Sequence, residues 1–259
     1  MPDRELIFVG DPAYAALELL AFARELGVSL ITPLRLDAAL FEPAPRRTNR
    51  RGRPRKKGRA LPKLAQRVRD PQTRWRRVWV RWYGRGRRQV ELASGRAVWY
   101  HSGKAPVPLR WVLVRDPRGE FETRALLGTD QRKSPQEILE LYTRRWQVEV
   151  TFEEVRAHLG VETQRQWNDR AIARTTPVLL GLFSVVTLLA HLRHRGSPTA
   201  PTVRRAAWYH KPQVTFADAL ACVRDELWKG FSLSGPGADN PISSKDLLQH
   251  FAELLRYAQ

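Results

Sequence analysis

The sequence predicts an α/β fold with a β-rich middle and a helical C-terminal region, and three observations carry that prediction. The chain opens on two short apolar runs separated by a stretch of helical spacing, between Glu5 and Thr32. Its centre, Trp75 to Arg124, alternates apolar and polar residues between Gly, Pro and Asp punctuation. From Ser134 onward the apolar residues recur at the helical period.

Glu5 to Val9 (ELIFV) reads as a first strand, closed at once by Gly10-Asp11-Pro12. Ala13 to Leu26 places Ala16, Leu19, Leu20 and Ala23 on one helical face, with Gly27 as the stop signal. Val28 to Thr32 (VSLIT) is a second strand of buried type, so this opening predicts a partly parallel sheet. Residues 44 to 69 are dense in Arg, Lys, Pro and Gly and poor in large apolar side chains, which predicts an exposed, mobile loop. The stretches RRVWVRWYG, RQVELASG, AVWYH, LRWVLVRD and EFETRALLG predict several antiparallel strands in a small β subdomain. Gly84-Arg85-Gly86-Arg87 reads as a hairpin turn between two of them. One long helix is expected from Ser134 to Gly160 and a buried helix over about Thr176 to Leu192. A Pro-rich linker at 195 to 213 precedes two amphipathic helices, near Phe216 to Trp228 and Lys245 to Tyr257. The chain thus divides into an α/β segment at 1–43, a basic loop at 44–74, a β-rich part at 75–127, helices at 128–194, and a linker with C-terminal helices at 195–259.

Composition narrows the partners. Against 26 Asp+Glu stand 45 Lys+Arg, mostly arginine, for a formal charge of +19. Each phosphate neutralised by such a surface releases condensed counterions, so nucleic acid is the leading partner and an anionic membrane surface the weaker one. A GC-rich genome that favours Arg codons accounts for part of the arginine but not for so few acids. Cys222 is the sole cysteine, which excludes a disulfide framework and a thiolate metal cluster. The start carries no signal peptide. The apolar run Val178 to Ala190, interrupted by Gly181, is short for a bilayer span and reads as a buried helix. No membrane role is expected, and the protein reads as cytoplasmic. Walker, zinc and nucleophile-elbow signatures are absent from the sequence.

Ser134-Pro135-Gln136-Glu137 is a capping box with proline at the first helical position, and Gly160 supplies a stop. Val148, Phe152, Val155 and Leu159 form an apolar stripe at about 100° per residue. Beside it Tyr142, Arg145, Glu149 and Arg156 fall within an arc of roughly 60° on an unbroken helix. One carboxylate is thereby set at the core edge with two guanidiniums and a phenol in line. An ordinary amphipathic helix with an Arg145–Glu149 pair four residues apart explains the same pattern.

The spacing Tyr142-x2-Arg145-x3-Glu149-x6-Arg156, within YTRRWQVEVTFEEVRAHLG, resembles the Y-x2-R-x3-E-x6-K signature of cut-and-paste DDE transposases from bacterial insertion sequences. ELIFVGDPAYA is similar to the strand of that family that ends in Gly-Asp. The resemblance implies that Asp11 and Glu149 are the second and third catalytic acids and metal ligands, and that Tyr142 and Arg145 contact DNA. Arg156 stands where the family has lysine and keeps the charge with a different donor geometry. Asp11 is equally explained as an N-cap before Pro12. The implied fold is an RNase H-like catalytic domain, incomplete here, with residues 75–127 as its β-rich insertion and 128–194 as its helices. The implied cofactor is Mg²⁺ or Mn²⁺, held by carboxylates. The implied partners are double-stranded DNA at transposon ends and a second copy in a synaptic complex, in a bacterial, nucleoid-associated setting. The first catalytic aspartate belongs on a strand upstream of the Asp11 strand, and Asp3 is too close to serve. The chain is therefore expected to be N-terminally truncated and inactive alone. A non-catalytic DNA-binding protein is the alternative, and an RNA-binding protein a third reading without an RNP-type motif.

Two further features point to DNA. Arg51-Gly52-Arg53-Pro54 with Arg55, Lys56 and Lys57 resembles an AT-hook core, and generic phosphate contact explains it as well. Trp75, Trp79, Trp82, Trp99 and Trp111 are core candidates, and any that reach the surface could stack an unpaired base, as in some transposases of this type. His191 and His194 read as charges at a helix end rather than as metal ligands.

Overall fold

A computed structural model describes residues 4–45, 55–83, 86–195 and 214–230. The chain divides into two compact units, Met1–Val148 and Glu149–Gln259.

The first unit is built on one sheet. β1 (Ile7–Val9) leads through a single 3-10 turn (Pro12–Tyr14) into α1 (Leu17–Glu25) and then β2 (Ser29–Leu34). β1 and β2 pair in parallel, with Ile7 opposite Ser29 and Val9 opposite Ile31, as the opening of the sequence predicts. The expected helix at 13–26 is split because Asp11 and Pro12 start the 3-10 turn and Ala16 lies in extended backbone before α1 begins. β3 (Leu40–Phe41), α2 (Leu64–Arg69), β4 (Arg76–Arg81), β5 (Arg87–Trp99), β6 (Val107–Arg115) and β7 (Arg124–Gly128) follow. The sheet order is β1-β2-β7-β6-β5-β3, with β4 also paired to β5. The central strands therefore do not form a separate subdomain. β7 pairs antiparallel with β2, Ile31 opposite Gly128, and carries the sheet onward from the opening unit.

Both sheet faces are covered, which is why the middle of β6 (Trp111 to Val114) reads as a continuous apolar run. On one face Leu109, Trp111, Leu113 and Leu127 pack with Leu17, Leu20 and Ala23 of α1 and Leu64 of α2. On the other, Val112, Val114 and Leu126 pack with Ile138 and Leu139 of α3 (Pro135–Arg144). Burying each such side chain contributes about 1.5–3 kcal/mol.

The capping box forms as expected: Glu137 N–H donates to Ser134 Oγ at 3.2 Å, and Ser134 N–H donates to the Glu137 carboxylate at 2.7 Å. The single helix expected from 134 to 160 is broken. α3 ends at Arg144 and α4 spans Trp146–Leu159, with Arg145 between them. At the break, Arg145 N–H donates to Tyr142 O and Val148 N–H to Arg145 O, both at 3.1 Å, so three-residue bonds tighten the path there. Gly160, at φ 74, stops α4 in the left-handed conformation the sequence anticipates.

In the second unit α5 (Asp169–Arg195) packs on α6 (Phe216–Gly230), with Phe183 stacked on Phe216 at 4.5 Å and Arg193 paired to Glu226 at 3.0 Å. α5 differs from the buried helix expected over about Thr176 to Leu192. It runs for 27 residues through Pro177 and buries Val186 and Ala190, while Val178, Leu182, Val185, Leu189 and Leu192 are exposed. By length and composition alone it is long and apolar enough to cross a membrane. The expected helix near Lys245 to Tyr257 and the linker at 196–213 lie outside the described residues.

Candidate functional site

Asp11 sits just past the carboxyl end of β1. Its side chain accepts a hydrogen bond from Ala13 N–H at 2.9 Å and caps the 3-10 turn, so the N-cap reading holds in the structure. Its backbone carbonyl accepts from the buried Thr32 hydroxyl at 2.7 Å, tying the loop to β2. Gly10 is required by packing: a Cβ there would lie 2.9 Å from the Tyr14 ring, which meets Phe8 edge-on at 5.1 Å. The carboxylate itself is exposed and spends one oxygen on the turn.

The residues of the helical signature are shared between the two units. Tyr142 closes α3 and packs against the Val112–Leu139 side of the core. Arg145 is the joint between the helices. Glu149 is half-buried in the first turn of α4, where the helix N-terminus favours a negative charge. Within the stripe beside it only Val155 is fully buried, and Val148 and Phe152 are exposed. Arg156 forms a two-pronged pair with Glu162, 2.7 Å from Nε and 2.8 Å from Nη2. Both partners are more than half exposed, so the pair contributes little to stability.

The first unit brings Tyr142 and Arg145 to one end of a cleft of about 760 Å³ that the sequence did not announce. Its walls are the β4–β5 hairpin, the β6–β7 turn and the α3–α4 joint, and they carry Trp79, Trp82, Tyr83 and Trp146 together with Arg87, Arg88, Arg118 and Arg124. α3 is fastened to β4 at this place: Gln136 donates to Trp79 O at 3.2 Å and the Thr143 hydroxyl to Arg81 O at 3.3 Å. The rings form a chain. Trp82 stacks on Phe121 at 5.3 Å, and Tyr83 meets Trp82 edge-on at 5.0 Å and Trp146 at 5.9 Å. The Arg88 guanidinium lies over both Trp82 and Phe121, 5.3 and 5.1 Å from their centres. It donates to Asp116 and Glu120, each at 2.6 Å. Burial of the Asp116 side chain would raise its pKa, but N–H donors from Arg118 and Glu120 and the Arg88 charge outweigh that and hold it below the usual carboxylate range.

Of the other tryptophans, Trp111 is buried, and Trp75 and Trp99 pack partly buried against the same core. Trp79 is exposed at the cleft. Sequence reasoning missed Trp146 and the Arg88–Asp116 pair. Trp146 was signalled only by adjacency to Arg145, and nothing local links positions 88 and 116. Of the hairpin turn expected at 84–87, Gly84 and Arg85 lie outside the described residues, and Trp82 N–H donates to Gly86 O at 3.0 Å. Of the AT-hook candidates, Arg51 and Arg53 lie outside the described residues, whereas Arg55, Lys56 and Lys57 lie within them. His194 contacts Cys222 Sγ at 3.6 Å.

Asp11 and Glu149 offer hard oxygen donors of the kind Mg²⁺ takes. Among the described residues no group of three or more His, Cys, Asp or Glu side chains is gathered to hold an ion.

The transposase DDE domain family matches residues 1–175 of this chain. A curated protein of Sinorhizobium fredii (strain NBRC 101917 / NGR234), "Putative transposase y4zB", is 32% identical over 110 residues. That match takes up 42% of this chain and spans 29% of the relative's length.

Proposed function

Because the chain belongs to the transposase DDE domain family, we propose that it serves DNA cleavage and strand transfer in the transposition of an insertion sequence. The observation that carries this reading is the cleft in which Tyr142 and Arg145 stand among exposed aromatic rings and further arginines. Arginines there suit forked contact with phosphate oxygens, and the exposed Trp79 and Trp146 offer faces on which an unpaired base can stack. The break at Arg145 aims its guanidinium and the Trp146 ring into the same cleft.

On this reading the parallel β1–α1–β2 unit belongs to an RNase H-like domain and residues 75–127 are its β-rich insertion. Asp11 and Glu149 would hold Mg²⁺ or Mn²⁺, which when bound polarises the scissile phosphate. Tyr142, Arg145 and Arg156 hold the DNA backbone. The substrate is double-stranded DNA at transposon ends, brought together by two copies in a synaptic complex, in the bacterial cytoplasm and nucleoid.

Two carboxylates, Asp11 and Glu149, are too few on this reading to clamp two ions, so these 259 residues alone are expected to bind DNA without transposing it. The test supplies the chain with matched transposon-end DNA and Mg²⁺ and scores cleavage and strand transfer. Activity is expected only when an added segment supplies a third carboxylate, and Glu149→Gln should return that activity to background. Robust turnover by the 259 residues alone would overturn the two-acid reading. Turnover of the extended chain that survives Glu149→Gln would remove Glu149 from the site.

A further inference from the structure

We propose that residues 55–58, together with the β5–β6 turn, form a phosphate-docking ledge for duplex DNA in which Lys57 is the anchor and Arg55 and Lys56 are the contacts. The proposal rests on the transposase reading for its partner and adds a second DNA surface, away from the Tyr142–Arg145 cleft.

A segment rich in Arg, Lys and Gly has little to bury and would be expected to stay loose. Here its C-terminal part is laid against the sheet. Gly58 N–H donates to Glu42 O, Glu42 N–H to Arg59 O and Leu61 N–H to Leu40 O, each at 2.8 Å, and Ala60 bridges antiparallel to Phe41. The approach is too close for a side chain: a Cβ at Gly58 would lie 2.6 Å from Pro43 O and 2.9 Å from Glu42 Cβ.

The three cations are then treated differently. Lys57 is half-buried, with its ammonium 3.6 Å from the centre of the Phe41 ring and 4.9 Å from that of Tyr100. A cation held between two ring faces is partly desolvated and already satisfied, so it serves to pin the segment. Arg55 and Lys56 are exposed. They line a concavity of about 630 Å³ with Tyr100, Ser102 and Gly103. The floor is the His101–Lys104 turn, closed by Lys104 N–H to His101 O at 3.1 Å with Gly103 at φ 83. Lys104 itself is taken up by Glu18. Two exposed cations beside Tyr and Ser hydroxyl donors on a fixed backbone match the charge and hydrogen-bonding needs of a sugar-phosphate strand, without base contacts.

The test measures duplex DNA affinity of the full chain across salt, using a random-sequence duplex and fluorescence anisotropy. Each phosphate contact contributes about 0.9 to the slope of log K against log salt. The Arg55→Ala/Lys56→Ala double variant should lower the slope by about 1.8. Lys57→Met should weaken binding several-fold while leaving the slope within about 0.3 of the parent, well under one contact. Lys57→Arg, which keeps a cation over the rings, should restore affinity. A Lys57→Met slope lower by about 0.9 would make Lys57 a phosphate contact and overturn its role as anchor. An unchanged slope in the double variant, with the parent binding normally, would overturn the ledge and leave the transposase reading intact. A parent chain that does not bind duplex DNA would instead sink that reading.

Discussion

Single side chains in the cleft combine charge and packing in a way that pH can interrogate. Arg88 is held over Trp82 and Phe121 while it donates to Asp116, whose side chain is 1% exposed. Asp116 is depressed below the usual carboxylate range on folding, so its contribution to stability is fully present above its unfolded value of about 3.9 and is lost as pH falls through the lower folded value. Glu91, held low mainly by Arg115 and also by Arg77, follows the same sign. Acidification below about pH 4 should therefore loosen Arg88 from Asp116 and alter the emission of Trp82. The check is a fluorescence titration of the parent, Asp116→Asn and Trp82→Phe. Both variants should lose that acid transition, and its persistence in Asp116→Asn would assign it to other carboxylates. Asp11 illustrates the opposite relation of residue to role. Its cap bond to Ala13 is fully accounted for by local structure, and its assignment as an acid comes from family membership.

At the scale of elements the sheet is organised around β5 and β6. Gly95 of β5 is directly opposite Trp111 of β6. A Cβ at Gly95 would lie 2.7 Å from Trp111 Cζ2, and the ring is covered by the Arg67 guanidinium at 5.3 Å. Glycine in a strand interior normally weakens it, so its presence here marks space taken by the indole. Gly95→Ala is expected to force Trp111 out of its place and to destabilise the first unit by about 1–3 kcal/mol. Denaturant unfolding of the variant checks this, and an unchanged midpoint would show that the indole has room to move. The α3–α4 joint works at the same scale. Capping and apolar period specify where α3 begins, but the three-residue bonds about Arg145 end it early and direct Arg145 and Trp146 to the cleft.

At the scale of the molecule the dominant quantity is the formal charge of +19. Such an excess predicts duplex DNA binding with steep salt dependence and little sequence preference. Deleting residues 46–59 removes a large share of those cations and should flatten the slope of log K against log salt. An unchanged slope after that deletion would show that the basic segment makes no phosphate contact and would transfer the interaction to the cleft arginines. Removing that segment also removes the hydrogen bonds of Gly58 and Arg59 to Glu42, which flank the Ala60–Phe41 bridge, so retained folding should be confirmed by circular dichroism.

Local rules made much of this legible from the residues. Ser134-Pro135-Gln136-Glu137 announces a helix start because the orphan N–H groups there need these side chains. ELIFV and VSLIT around a helical period announce a parallel pair because a helical crossover returns the chain in the direction of the first strand. The spacing from Tyr142 to Arg156, together with ELIFVGDPAYA, carried the family resemblance. What residue order could not supply were the non-local pairings. β7 joins β2 across almost a hundred positions, which merges the expected subdomain into one sheet. Arg88 finds Asp116, and Lys57 finds Phe41 and Tyr100, through strand neighbours that no window of sequence contains. Register within one sheet, rather than any motif, placed those charges and rings together, because each backbone pairing sets the position of every side chain along the strand.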